Sequence, residues 1–233
     1  MNPCDLLFLG AHPDDVEISC AGTILRCVAQ GLKVSIADAT AGEKGTRGTR
    51  EQRAAEAAAA AAKLGLHERS CLGLPDTQLA VDERSLAAVV GAIRSTRCRM
   101  LVSPIARDAH PDHVALGQLA EKAFFLAGLK HHAPELGAPH RPRVHLRYLG
   151  NQPVEPTVAL DISDLAEAKA EVVRCYASQV SPPDKGHLLQ GLDVVDRAIV
   201  RDRFHGSRIR VAAAEAFFHD GPLPLHDLSP LMR

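Results

Sequence analysis

The first 128 residues alternate four times between a short apolar run and a longer stretch of helical periodicity. The apolar runs are "DLLFLG" (5–10), "KVSIADAT" (33–40), "RSCLGL" (69–74) and "RMLVSP" (99–104). The helical stretches cover 14–30, 49–65, 82–94 and 111–128. Strand and helix in strict alternation predict a parallel sheet covered on both faces, because each crossover returns the chain to the same end of the sheet. The fold class is therefore α/β with a mainly parallel sheet.

Local chemistry supports the helices. Thr49 is placed to cap the stretch "TREQRAAEAAAAAAKLG", and Gly65 to stop it. "AGEKGTRG" (41–48) reads as a glycine-punctuated loop. Beyond residue 129 the pattern loosens: 131–143 reads as a loop rich in Pro and His, 144–150 and 156–163 as strands, and 164–179 as a helix capped by Asp164. Residues 181–193 read as irregular and 201–218 as a final helix. No long linker divides the chain, so one domain is expected over 1–233.

Hydrophobic residues make up 46% of the chain, enough for a sizeable core, and aromatics only 3%, so that core is aliphatic and rich in alanine. A net charge of −1 offers no field to draw in nucleic acid or an anionic membrane. The six cysteines form no Cys-x-x-Cys pair, which favours free thiols in a reducing compartment over a disulfide or Cys-based zinc framework. The start lacks the basic and apolar regions of a signal peptide, so a cytoplasmic location is expected, without a membrane partner.

Two nearly identical words, "AHPDD" (11–15) and "AHPDH" (109–113), each follow a predicted strand and precede a predicted helix. Ligands of open parallel sheets bind outside the carboxyl ends of the strands, where such turns gather. Proline suits the first position of a helix, so Pro13 and Pro111 would place His12 and His110 at the caps, with Asp15 and His113 in the first turns. One such word is ordinarily a capping sequence beside a solvated histidine. Two copies at equivalent turns gather His12, Asp14, Asp15, His110, Asp112 and His113, all able to ligate zinc or to support its ligands. A zinc ion held without cysteine would be a catalytic one.

The stretch "GAHPDDVEISCAGTI" (10–24) resembles the signature of the LmbE-like, or PIG-L, family of zinc-dependent N-acetylglucosamine deacetylases. The likeness extends through "GEKGTRGTREQRAAEAAAAAAKLG" (42–65), "LGLPDTQL" (72–79), "HPDH" (110–113) and "AEAFF" (214–218), in the family's order. "GTRGT" followed by Arg and "EA" is most similar to the bacillithiol-pathway branch, which acts on N-acetylglucosaminyl-malate. The resemblance implies a Rossmann-like three-layer sandwich, with His12, Asp15 and His113 as zinc ligands. It makes Asp14 the general base and His110 the group that stabilises the oxyanion or protonates the amine, and it places Arg53 on the substrate. Asp112 is expected to orient His110 from behind, and Arg47 to join Arg53 in holding an anionic aglycone. Iron(II) and cobalt suit the same donors as zinc.

Zinc and a helix N-terminus would both weaken Asp14 as a base, a tension that only desolvation could offset. Glu17 reads as a helix-start carboxylate, His131, His132 and His140 in the polar loop read as solvated, and His187, His205, His219 and His226 carry no ligand-like spacing. Ser19 and Ala21 stand where relatives usually have glycine, and Ala213 where they often have tyrosine. These departures bear on which sugar is used. The expected partner is a small amino-sugar substrate; alanine-rich helices would also suit packing into a homo-oligomer.

Overall fold

The computed structural model describes residues 1–180, 193–223 and 227. The expected irregular segment falls outside them apart from Asp193, as do His187 and His226. The four predicted strand–helix units form as β1 (Leu6–Gly10), α1 (Asp15–Ala29), β2 (Val34–Asp38), α2 (Arg50–Leu64), β3 (Glu68–Cys71), α3 (Glu83–Thr96), β4 (Met100–Pro104) and α4 (Pro111–Leu126). They are followed by β5 (Val144–Tyr148), β6 (Val158–Asp161), α5 (Ala166–Val173), α6 (Ala177–Val180), α7 (Val194–Arg208) and β7 (Ala214–Phe218).

The strands join one sheet in the order β3-β2-β1-β4-β5-β7-β6. The first five in that order run parallel, whereas β7 is antiparallel to both β5 and β6. Alternate residues of β1 feed opposite layers, as the strand period of two requires. Leu7 and Leu9 pack with residues of α3 and α4, while Leu6 and Phe8 pack with α1, α2 and α5. The fold is the Rossmann-like three-layer α/β sandwich.

Several helix ends follow their sequence signals. Thr49 Oγ1 accepts from Gln52 N at 3.2 Å, and Gly65 ends α2 at φ 68. Asp82 accepts from Ser85 N at 2.8 Å. Asp164 does not cap α5; Leu165 stands there without a side-chain bond, and Asp164 pairs with Arg26 instead.

The final helix expected over 201–218 is two elements. The helix lies earlier, at 194–208, and "AEAFF" is a strand. Arg210, at φ 65, turns the chain, and Gly206 lets the helix lie on it: a Cβ there would meet Ala213 Cα at 2.8 Å. Pairing on both edges, with β5 and β6, overrides the helical preference of alanine. Glu17 stands in the first turn of α1, as expected, but with a further role. It is fully buried, ion-paired to Arg69 and bonded by Tyr176 OH at 2.7 Å, so it ties α1 to the sheet rather than opening a helix to solvent. His140 is likewise not simply solvated, since its Nε2 lies 2.7 Å from Cys98 O. All six cysteines are free, with Cys4, Cys20 and Cys98 buried.

Candidate active site

Because β1 and β4 are neighbours in the sheet, the turns that follow them open side by side. This is the point where strand order reverses, β2 lying on one side of β1 and β4 on the other. The two words therefore meet, although nearly a hundred residues separate them. The ring centroids of His12, His110 and His113 lie 4.7, 5.5 and 4.8 Å apart in pairs.

The two turns are not equivalent. At α4, Pro111 is the first helical residue and His110 the cap, its Nδ1 accepting from Asp112 N at 3.2 Å. At α1 the helix starts two residues later than expected: Asp14, not His12, is the cap. Asp14 sits at φ 120, a region that strains any residue with a Cβ, and its carboxylate makes no capping bond. A strained, part-buried acid that does not close its own helix is available for other work. Thr77, at φ 62, is a second strained residue beside the cluster, its N–H held by Asp112 at 2.8 Å.

Asp15 joins the two turns. Its Oδ2 lies 3.3 Å from His12 Nδ1 and its Oδ1 3.1 Å from His113 Nε2. Donors about 2.0–2.1 Å from a tetrahedral zinc stand about 3.3 Å from one another, and each of these two contacts, made by a different oxygen of Asp15, is close to that length. The far nitrogens rest on other carboxylates: His12 Nε2 on Asp112 (3.1 Å) and Asp76 (3.2 Å), and His113 Nδ1 on Asp108 (3.4 Å). A metal-binding imidazole is ordinarily held in this way, with one nitrogen toward the ion and the other on a carboxylate. His110 brings a third ring nitrogen within 4.8 Å of those of His12 and His113. The donor set fits a divalent ion.

Among these side chains alone, the charges sort by residue. Burial lowers the pKa of His12, but the bond and charge of Asp15 outweigh it and raise the imidazole to about 9. Burial likewise opposes, and Asp15 and Asp108 overcome, a rise of His113 to about 11. Asp15 is held well below its ordinary value despite burial, chiefly by His113. Asp14 goes the other way: burial and then the Asp15 charge push it up to about 8, against the pull of Arg53. Desolvation thus offsets the helix N-terminus. His110 is lowered by burial and by the charges of His12 and His113.

Several expected roles find different geometry. Asp112 does not support His110 through its carboxylate, which meets His12 and accepts from Thr77 N and Leu79 N. Arg53 is only 4% exposed, and its guanidinium donates to Pro13 O (2.7 Å), Gly42 O (3.2 Å) and Asp14 (3.3 Å). It pins the glycine loop to the strained turn, and Gly42 is required there: at φ 64, a Cβ would stand 2.3 Å from the guanidinium. Arg47 is half-buried, with its carbonyl accepting from Gln179 at 3.0 Å. Neither arginine lines the main cavity, about 540 Å³, which takes in Asp15, His113, Ser19, Tyr148 and residues of α7. Ser19 thus faces the cavity, Ala21 is buried in the core, and Ala213 lines a separate space of about 170 Å³.

Asp76 and Asp108 went unassigned in the sequence reading. Asp76 accepts from Lys44 N at 2.7 Å, and its own N–H donates to Glu43, so it also anchors the glycine loop. Asp108 accepts from His110 N and Asn151 N, both at 2.8 Å. An acid two residues before a helix cap is a readable signal for such a bond.

A cluster of imidazoles and carboxylates at the carboxyl edge of a Rossmann-like sheet, close enough together to hold a divalent ion, defines the class of site. The chain belongs to the PIG-L family, described as GlcNAc-PI de-N-acetylase, whose pattern matches residues 7–124, just over half of its length. It is 29% identical over 188 residues to the diacetylchitobiose deacetylase of Thermococcus kodakarensis, covering 75% of this chain and 69% of that one. It is 31% identical over 173 residues to the 1D-myo-inositol 2-acetamido-2-deoxy-alpha-D-glucopyranoside deacetylase of Kribbella flavida, covering 57% of each. The conserved protein TT1542 of Thermus thermophilus superposes with a TM-score of 0.88 at 36% identity, over 97% of this chain and 99% of that one. Among the described residues, no helix is long and apolar enough to cross a membrane.

Proposed function

We propose that this chain is a zinc-dependent N-deacetylase that removes the acetyl group of an N-acetylglucosamine-containing small molecule, N-acetylglucosaminyl-malate being the preferred substrate. The observation that carries the reading is the meeting of His12, Asp15 and His113 beside a desolvated Asp14 whose carboxylate leaves its own helix uncapped. Relatives named for deacetylating chitobiose and an inositol-linked amino sugar support the sugar.

His12 Nδ1, Asp15 and His113 Nε2 would hold the ion, with His110 beside them. When bound, zinc supplies Lewis acidity and a more acidic water. Asp14 takes a proton from the attacking water as its oxygen bonds to the acetyl carbon. With a pKa raised toward neutrality, the protonated Asp14 can return that proton to the nitrogen as the C–N bond breaks, giving acetate and a free amine. His110 acts as a neutral donor rather than as an imidazolium. Its Nδ1 accepts from Asp112 N, so the proton of the neutral ring lies on Nε2, free to donate to the developing oxyanion. Arg53 positions Asp14 and balances its charge.

The test is purified protein assayed for bound metal and for acetate release from N-acetylglucosaminyl-malate, N-acetylglucosamine and N,N'-diacetylchitobiose. The expected result is chelator-sensitive acetate release, fastest from the malate conjugate. Zinc-loaded protein that releases acetate from none of the three would refute the reading, and equal rates on all three would remove malate from it.

A further inference from the structure

We infer that the groove along α7 is an aglycone subsite for an anionic group, a carboxylate or phosphate, held by Arg197 and Arg201. The inference rests on the deacetylase reading for its sugar but not for its charge. The cavity of about 540 Å³ that takes in Asp15 and His113 adjoins a second of about 420 Å³, the two sharing Gly150, Asn151, Arg201 and Phe204 as lining. Each is within the range of small-molecule sites, and the first reaches Asp15 and His113 at one end.

α7 walls both cavities. Arg197 and Arg201 are four residues apart and so share a helix face. Val200 and Phe204, 52% and 60% exposed, give the same wall an apolar edge against which a sugar ring can lie.

The charges do not cancel. Asp15, the acid among the described residues of the first cavity, is engaged by His12 and His113. Glu155, in the second, is paired with Arg208. Among the described residues, neither Arg197 nor Arg201 has a carboxylate within ion-pair distance. Each is anchored by one N–H on a neutral acceptor: Arg197 on Asn151 Oδ1 at 3.2 Å, Arg201 on Ile18 O at 2.6 Å. An anchored guanidinium keeps further donors in a fixed plane, and a carboxylate or phosphate satisfies two of them at once. A neutral inositol or second amino sugar would leave both charges uncompensated.

The experiment compares N-acetylglucosaminyl-malate, N-acetylglucosamine 1-phosphate and neutral N,N'-diacetylchitobiose on the zinc-loaded wild type, Arg197→Gln and Arg201→Gln. The wild type should favour one anionic substrate, and which one distinguishes carboxylate from phosphate. Each substitution should lower kcat/KM on that substrate by about tenfold or more, mainly through KM, while the neutral substrate changes by less than about threefold. Equal losses on all three substrates, or no anionic preference in the wild type, overturn the subsite. Arg201→Gln also removes a bond to α1, so Arg197→Gln, whose side chain meets Asn151, decides if the first variant melts early. If the wild type releases acetate from nothing, the deacetylase reading fails by itself. Calorimetric binding of malate and of N-acetylglucosamine 1-phosphate then decides the subsite: binding weakened by Arg197→Gln upholds it, and absent or unchanged binding overturns it.

Discussion

Asp14→Asn should make the metal-free protein more stable and the enzyme inactive. The wild-type carboxylate is 13% exposed and is pushed up to about 8, chiefly by burial. In the unfolded chain it titrates near 3.9. A carboxyl whose folded pKa is raised binds its proton more tightly in the native state. It therefore costs nothing below about pH 4, costs progressively more up to about pH 8, and levels off above. At pH 7 the gap of about three units is about 4 kcal/mol at 1.36 kcal/mol per unit. Asparagine keeps the shape and tolerates positive φ comparatively well, so the strain at φ 120 is little changed. The pull of Arg53 is already contained in the value of about 8, so losing it adds no separate cost. The gain of about 4 kcal/mol corresponds to a Tm higher by about 8–16 °C for a chain of this size. Thermal melts with chelator at pH 4, 6 and 8 would show the two proteins together at pH 4 and diverging above it, and turnover of the zinc-loaded variant should fall by about a hundredfold or more. A variant equally or less stable at pH 8 would refute the desolvation argument, and undiminished turnover would remove the base from Asp14.

Arg53→Ala should depress kcat about equally on malate-linked and free N-acetylglucosamine, because its guanidinium holds Asp14 and two loop carbonyls; a loss confined to the malate conjugate would restore it to the aglycone. Asp108→Asn should weaken zinc binding by about 10–100-fold, read by competition with a chelator, since it supports His113 and the backbone of His110; unchanged affinity would leave it a purely structural cap. Lys169→Met should cost about 3–5 kcal/mol in urea unfolding, because it strands two buried acids, Asp202 and Glu215, now 2.7 and 2.8 Å from the ammonium; a loss below about 1 kcal/mol would contradict that.

The first four strand–helix units were readable because their periodicity is local. The site was readable in part for the same reason: both words end a strand, and parallel strands put their ends together. What distant pairing decides was not readable. "AEAFF" carries helix-forming alanines, and only β5 and β6, more than fifty residues earlier, make it a strand. Asp112 lies beside His110 in the sequence, yet its carboxylate supports His12, a hundred residues away. The resemblance places Arg53 on the substrate, but it does not say what else the guanidinium holds. Its near-complete burial, with acceptors contributed by two separate loops, depends on how those loops fold over it.

The place of β7 sets a clock on the assembly of the molecule. Among the described residues β6 bonds to the sheet through β7 alone, and Glu215 of β7 receives the N–H groups of Gly22 and Thr23, midway along the first helix. On the ribosome, the helix that begins after the His12–Asp14 turn gains these two bonds from a residue made almost two hundred positions later. Docking of that late strand makes a contact of long sequence separation, of the kind that slows folding.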